Sequence, residues 1–218
     1  TVDLRRDLSR MIFSQSQQFV FFAIPKTGTH AIREVFRPHL STEDWEQQLR
    51  YGQQLSPLPE IAAINHGHVA YRQLTRVIPE ETLAQYFTFA FVRHPFDRFV
   101  SVCAFLARTD PSYQDDPTAW MKRALTRAPF RKRVLVATQS DLLTCEHSGS
   151  IKLNFVGRYE SLQDDCDHVC RTLSLPAVTL SRKNSSEHRQ YHEVLDGELR
   201  EALTETYADD FETFSYDP

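Results

Sequence analysis

Two uncharged, apolar runs constrain this chain more than any other feature. Phe19-Val-Phe-Phe-Ala-Ile24 and Tyr86-Phe-Thr-Phe-Ala-Phe-Val92 are both strand-sized, and each runs directly into a basic turn. The first turn is Pro25-Lys26-Thr27-Gly28 and the second Arg93-His94-Pro95. A strand without polar alternation is buried on both faces, which is the situation of a parallel strand covered by helices. Helical spacing follows each turn: Ala31, Ile32, Val35 and Phe36 up to Pro38, then Phe99, Val102, Cys103 and Leu106. Asn154-Phe-Val-Gly157 reads as a third strand. Ser161 and Asp164 then form a capping signal for an amphipathic helix through Leu162, Cys166, Val169, Cys170 and Leu173. Leu195, Leu199, Ala202 and Leu203 mark a last helix, and Ala62–Asn65 reads as a short strand. Residues 41–60 read as a polar helix followed by an irregular excursion. The expectation is a single α/β domain over residues 1–218, with a central, mainly parallel sheet flanked by helices in three layers.

Composition narrows the function. A formal net charge of −4 argues against a general nucleic-acid binder, so any anion site must be local. No stretch approaches the ~20 apolar residues that span a bilayer. The four cysteines form no C-x-x-C pair and read as small buried apolar residues.

In such folds ligands sit beyond the carboxyl ends of the strands, where both basic turns fall. Within Pro25-Lys26-Thr27-Gly28-Thr29-His30, Gly28 permits a tight turn, and the helix that follows offers free N–H groups and a positive dipole end. Lys26 adds charge, and Thr27 and Thr29 add hydroxyls. Together they suit a phosphate, although the G-x-x-x-x-G-K-[ST] pattern is absent. In Arg93-His-Pro95-Phe-Asp-Arg98-Phe-Val-Ser101, two guanidinium groups and a hydroxyl suit a second phosphate. The competing reading is that Arg93 and Arg98 form structural ion pairs with Asp97 or another acid.

With these motifs, the sequence resembles the sulfotransferases that use 3′-phosphoadenosine 5′-phosphosulfate (PAPS). It is most similar to their carbohydrate branch, related to heparan and dermatan 2-O-, chondroitin 4-O- and HNK-1-type enzymes. The resemblance implies a P-loop-like fold. It also implies that the Pro25–His30 loop holds the 5′-phosphosulfate end, with Lys26 on that side, while Arg93 and Ser101 hold the 3′-phosphate. Gly157-Arg158-Tyr159-Glu160 looks like a further block of the family. Arg182-Lys183-Asn184-Ser185 looks like its basic loop over the nucleotide, and Phe211–Tyr216 like its C-terminal end.

Sulfuryl transfer needs a stabilised leaving group, which Lys26 suits, and a base for the acceptor hydroxyl. His66-Gly67-His68 supplies the candidate bases, with His68 preferred and His66 as its partner or replacement. A His-Gly-His element also occurs in uronosyl 2-O-sulfotransferases, where histidine is the base. His30 and His94, inside the nucleotide motifs, are the alternatives. His66-x-His68 and His188-x-x-x-His192 have ligand-compatible spacing but no second ligand set, so no metal is expected. Lys122, Arg123, Arg127, Arg131, Lys132 and Arg133, with Trp120 and Phe130 among them, are either a solvated face or a seat for an acidic glycan acceptor. The rival readings are a P-loop-type nucleotide kinase and a non-catalytic protein that binds PAPS or its product PAP (3′-phosphoadenosine 5′-phosphate). The simplest location is the cytoplasm; the alternative is a Golgi-lumen catalytic domain of an anchored protein.

Overall fold

The computed structural model describes residues 10–47, 56–180 and 189–218. Five strands form one mixed sheet: β1 (Ile12–Ser14), β2 (Phe19–Phe22), β3 (Trp45–Glu46), β4 (Phe87–Val92) and β5 (Phe155–Arg158), in the order β3-β1-β2-β4-β5. β2 pairs in parallel with β4, placing Phe21 opposite Phe89, and β4 pairs in parallel with β5, placing Ala90 opposite Val156. β1 runs antiparallel to both β2 and β3. All the strands but β1 therefore point one way, and the sheet is the mainly parallel one that the apolar runs require.

Burial on both faces explains those runs. Side chains alternate across a strand. Phe19 and Phe21 of β2 and Phe89 and Phe91 of β4 pack on one face with Ile32 and Phe36 of the Thr29–Phe36 helix and Cys166, Val169 and Cys170 of the Leu162–Thr172 helix. Ring centroids of Phe21 and Phe89 lie 5.3 Å apart, and those of Phe36 and Phe89 lie 5.4 Å apart. On the other face Phe22 meets Tyr71 of the Tyr71–Thr75 helix at 5.7 Å. All four cysteines are buried and unbridged, Cys166 and Cys170 on the first of these faces.

The Thr29–Phe36 helix is pinned to the sheet edge by a buried charge pair. Arg33 donates from Nε to Glu46 Oε1 of β3 at 3.0 Å and from its guanidinium Nη2 to Oε2 at 3.1 Å. Burial lowers the Arg33 pKa and the Glu46 carboxylate opposes the shift.

The chain divides into two compact units. The first, Thr1–Val92 with Asp141–Asn184, contains the sheet. The second, Arg93–Ser140 with Ser185–Pro218, is helical among the described residues and is built on the Pro95–Leu106, Pro117–Leu125, Gly197–Thr206 and Ala208–Phe214 helices. Its interior is aromatic: Phe96 meets Phe211 at 5.1 Å and Phe99 meets Tyr207 at 6.2 Å.

Two local expectations are corrected and a third is refined. Ala62–Asn65 is not a strand: Pro59 opens a short helix, Pro59–Ala62, and Ile64 N closes a turn on Ile61 O at 3.0 Å. Within 41–47 the chain forms β3 and no helix, because Trp45 stacks on Phe13 of β1 at 5.2 Å. Ser161 is the N-cap residue of the next helix, as expected, but makes no side-chain cap bond; its hydroxyl donates to Asp165 Oδ2 at 2.8 Å. Among the described residues no helix is long and apolar enough to cross a membrane.

Candidate active site

The turn after β2 is built by backbone conformation. Gly28 adopts φ 78° and ψ 14°, a left-handed conformation, as N-cap of the Thr29–Phe36 helix. A Cβ there would lie 2.6 Å from Leu162 Cδ2 and 3.3 Å from Tyr159 Cδ2, so glycine is required for both its dihedral and its space. Lys26 is also left-handed, with φ 64°, at a cost of roughly 1–2 kcal/mol for a residue with a Cβ. Strain of this kind is held at sites where a loop must present its groups in one way. Pro25, Thr27 and Thr29 are buried, while Lys26 and His30 are half-buried. Thr27 does not offer its hydroxyl outward: Oγ1 donates to Ile24 O at 3.0 Å and closes the turn on itself. The loop thus presents a helix N-terminus and a lysine, which is the chemistry of an anion cradle.

The His66-Gly67-His68 segment is tied to this strand end. Met11 N donates to Gly67 O at 2.9 Å. His68 is 6% exposed and its Nδ1 lies 2.7 Å from Ala23 O, between β2 and Pro25. A carbonyl only accepts, so Nδ1 carries a proton and the ring is held in one orientation. His66 is half-buried, with its ring 6.3 Å from that of His68. Its Nδ1 is buried without a hydrogen-bond partner, and burial lowers its pKa below the ordinary 6.5. Arg158 ends β5 with its backbone N–H donating to Asp165 Oδ2 at 2.6 Å, and Tyr159 follows it against Gly28.

In the second unit, Arg93, the residue after β4, is 5% exposed. Its Nε donates to Asp97 Oδ2 at 2.7 Å. Its backbone is clasped at both ends by one side chain: Arg93 N donates to Gln139 Oε1 and Gln139 Nε2 donates to Arg93 O, each at 2.9 Å. Ser101 is fully buried on the Pro95–Leu106 helix. Arg98, expected to share the anion-binding work of Arg93, is placed otherwise. Its side chain is sealed, donating to Leu135 O at 3.2 Å and Ala137 O at 2.6 Å, with Asp210 Oδ2 at 3.9 Å and the Tyr207 ring beneath it. It holds the interior of the unit together. His94 is likewise structural, stacked on Tyr191 at 5.1 Å with Nε2 3.0 Å from Asp217 O. Gln139 and Asp210 have no counterpart in the sequence reasoning, because nothing local marks a residue whose partners lie far along the chain. Arg182, Lys183, Asn184 and Ser185 lie outside the described residues.

The second unit also holds a cleft of about 520 Å³ lined by Trp120, Phe130, Asp110, Arg123, Arg127 and Arg133, among others. The basic cluster read from sequence is thereby sorted. Lys122 is paired with Asp196 and Glu198, and Arg131 donates to Leu125 O at 2.8 Å, whereas Arg123, Arg127 and Arg133 line the cleft.

A mainly parallel sheet flanked by helices, with a left-handed glycine turn between β2 and its helix, defines an α/β protein. The chain matches the model described as Sulfotransferase family over residues 9–217, and it belongs to that family. No curated protein and no solved structure matches it.

Proposed function

We propose that the chain transfers a sulfuryl group from PAPS to a hydroxyl of a carbohydrate, with His68 as base. The observation that carries this reading is the anchoring of His68 Nδ1 on Ala23 O, which fixes the ring beside the residue pair that introduces the Pro25–His30 loop. The donor fits the residues present. Gly28 keeps the loop free of a Cβ, Lys26 and the helix N-terminus suit the 5′-phosphosulfate, and Arg93, oriented by Asp97, suits the 3′-phosphate with Ser101. When bound, PAPS supplies a sulfuryl group on a phosphate leaving group, open to in-line displacement by the acceptor oxygen. Lys26 then stabilises negative charge on the 5′ side, and His68 Nε2 receives the acceptor proton while Nδ1–H keeps its bond to Ala23 O. The three arginines of the Trp120 cleft favour an acceptor that is itself acidic.

The test is a pair of measurements on His68→Ala. Turnover of an acceptor with labelled PAPS should fall roughly 10²–10⁴-fold, the usual worth of a general base. Calorimetric PAP affinity should stay within about twofold, since no nucleotide contact is removed. Near-normal turnover would exclude His68 as base. PAP bound no better than ATP or AMP by the unaltered chain would exclude the donor.

A further inference from the structure

A second cluster of chemically active side chains lies in the sheet-bearing unit, on residues that the proposed transfer leaves unused. Cys145 is buried and its Sγ donates to Glu80 Oε1 at 3.1 Å. His147 Nδ1 stands 3.9 Å from the same oxygen. The ligand atoms of Glu80, Cys145 and His147 all lie within 4.8 Å of one another. Around a tetrahedral zinc ion, with bonds of about 2.3 Å to sulfur and 2.0–2.1 Å to nitrogen or oxygen, neighbouring ligand atoms stand roughly 3.3–3.6 Å apart. A small movement therefore closes the trio on one ion.

Two further features prepare the cluster. Cys145 is held by its own hairpin: Cys145 N donates to Ser150 O at 2.9 Å, Gly149 N donates to Cys145 O at 3.0 Å, and Thr144 bridges Ile151. The other Glu80 oxygen is already occupied, accepting from Lys152 Nζ at 2.7 Å. A partner of that kind orients a ligating carboxylate from outside the coordination sphere.

We propose that Glu80, Cys145 and His147 bind a zinc(II) ion, with water as fourth ligand. Thiolate and imidazole exclude magnesium and calcium as the natural occupant. On binding, the Cys145 thiol releases its proton to solvent, and the thiolate with the Glu80 carboxylate balances the two positive charges of the ion. The ion would tie the Glu80–Leu83 helix, which enters β4, to the hairpin that enters β5. The histidine spacings apparent in the sequence are not involved, since Glu80 is far along the chain from the Cys-x-His pair.

The test uses the full chain after chelator treatment, with cobalt(II) as optical probe and zinc(II) as competitor. One equivalent of cobalt should produce a thiolate-to-metal charge-transfer band that zinc abolishes. Cys145→Ser should remove the band. His147→Ala changes a side chain that is 84% exposed, so the fold is kept, and zinc affinity should fall roughly tenfold or more. Absence of the band in the unaltered chain, its survival in Cys145→Ser, or unchanged zinc affinity in His147→Ala would each overturn the proposal.

Discussion

His68 and His66 differ in what their ring nitrogens meet. The His68 Nδ1–H is satisfied by a backbone carbonyl, whereas the His66 Nδ1 is buried without a partner. Burial therefore disfavours the His66 imidazolium and lowers its pKa below 6.5. The unfolded chain then takes up this proton at a higher pH than the folded one. Stability is full above the unfolded value and is lost as pH falls from about 6.5 through the lower folded-state pKa. His66→Gln should remove that loss. The difference in urea unfolding free energy between the two chains should be flat above about pH 7 and change steadily below 6.5. A constant difference across that range would mean that His66 binds its proton equally in both states. The sequence marked both histidines as candidates, but the carbonyl that sets their roles belongs to Ala23. Arg93 and Arg98 show the same limit. Their spacing announces two cations near a strand end, while the carbonyls of Leu135 and Ala137 that enclose Arg98 follow only from the fold.

Among the elements, β2 and β4 were readable because all their residues but Thr88 are apolar, which leaves little alternative to a doubly covered strand. β1 and β3 were not, being only 3 and 2 residues long and defined by pairing with each other and with β2. Yet β3 carries Glu46, the acid that fixes the helix behind the Pro25–His30 loop. Arg33 and Glu46 are 6% and 3% exposed, so removing the acid strands a buried charge, with Arg37 Nε also losing its contact at 3.5 Å. Glu46→Ala should destabilise the chain by about 3–5 kcal/mol, whereas replacing Arg33 and Glu46 together by apolar residues should recover most of that. Chemical denaturation checks both, and a loss below about 1 kcal/mol in the single variant would show that the pair is solvated.

Over the whole molecule the charge is −4, yet three arginines converge on the Trp120 cleft. A local basic site on an acidic chain attracts an anion over short distances and is weakened by salt. Arg123→Glu combined with Arg127→Glu should raise acceptor KM roughly tenfold with kcat little changed, which is the signature of lost uniform binding. The unaltered chain should show a KM that climbs with ionic strength. Acceptor kinetics indifferent to both would remove the cleft from acceptor binding. The cluster was visible in sequence, but the acids that withdraw Lys122 from it, Asp196 and Glu198, were not, because they come from a later helix.

The stretch from Leu135 to Ser140 gives most of its backbone to side chains from elsewhere in its unit. Arg98 takes the carbonyls of Leu135 and Ala137, the Tyr207 hydroxyl donates to Val136 O at 3.0 Å, and Asp210 accepts from the amides of Gln139 and Ser140 at 2.9 and 2.8 Å. Connecting segments usually gain and lose residues freely over evolutionary time. This one is not free to do so. A single inserted residue would slide every carbonyl and amide past its partner and leave a permanent cation enclosed with nothing to answer it. Length variation in the family should therefore fall on either side of this stretch and spare it, so that a turn leading into the Gln139–Leu143 helix keeps the fixed length of a core strand.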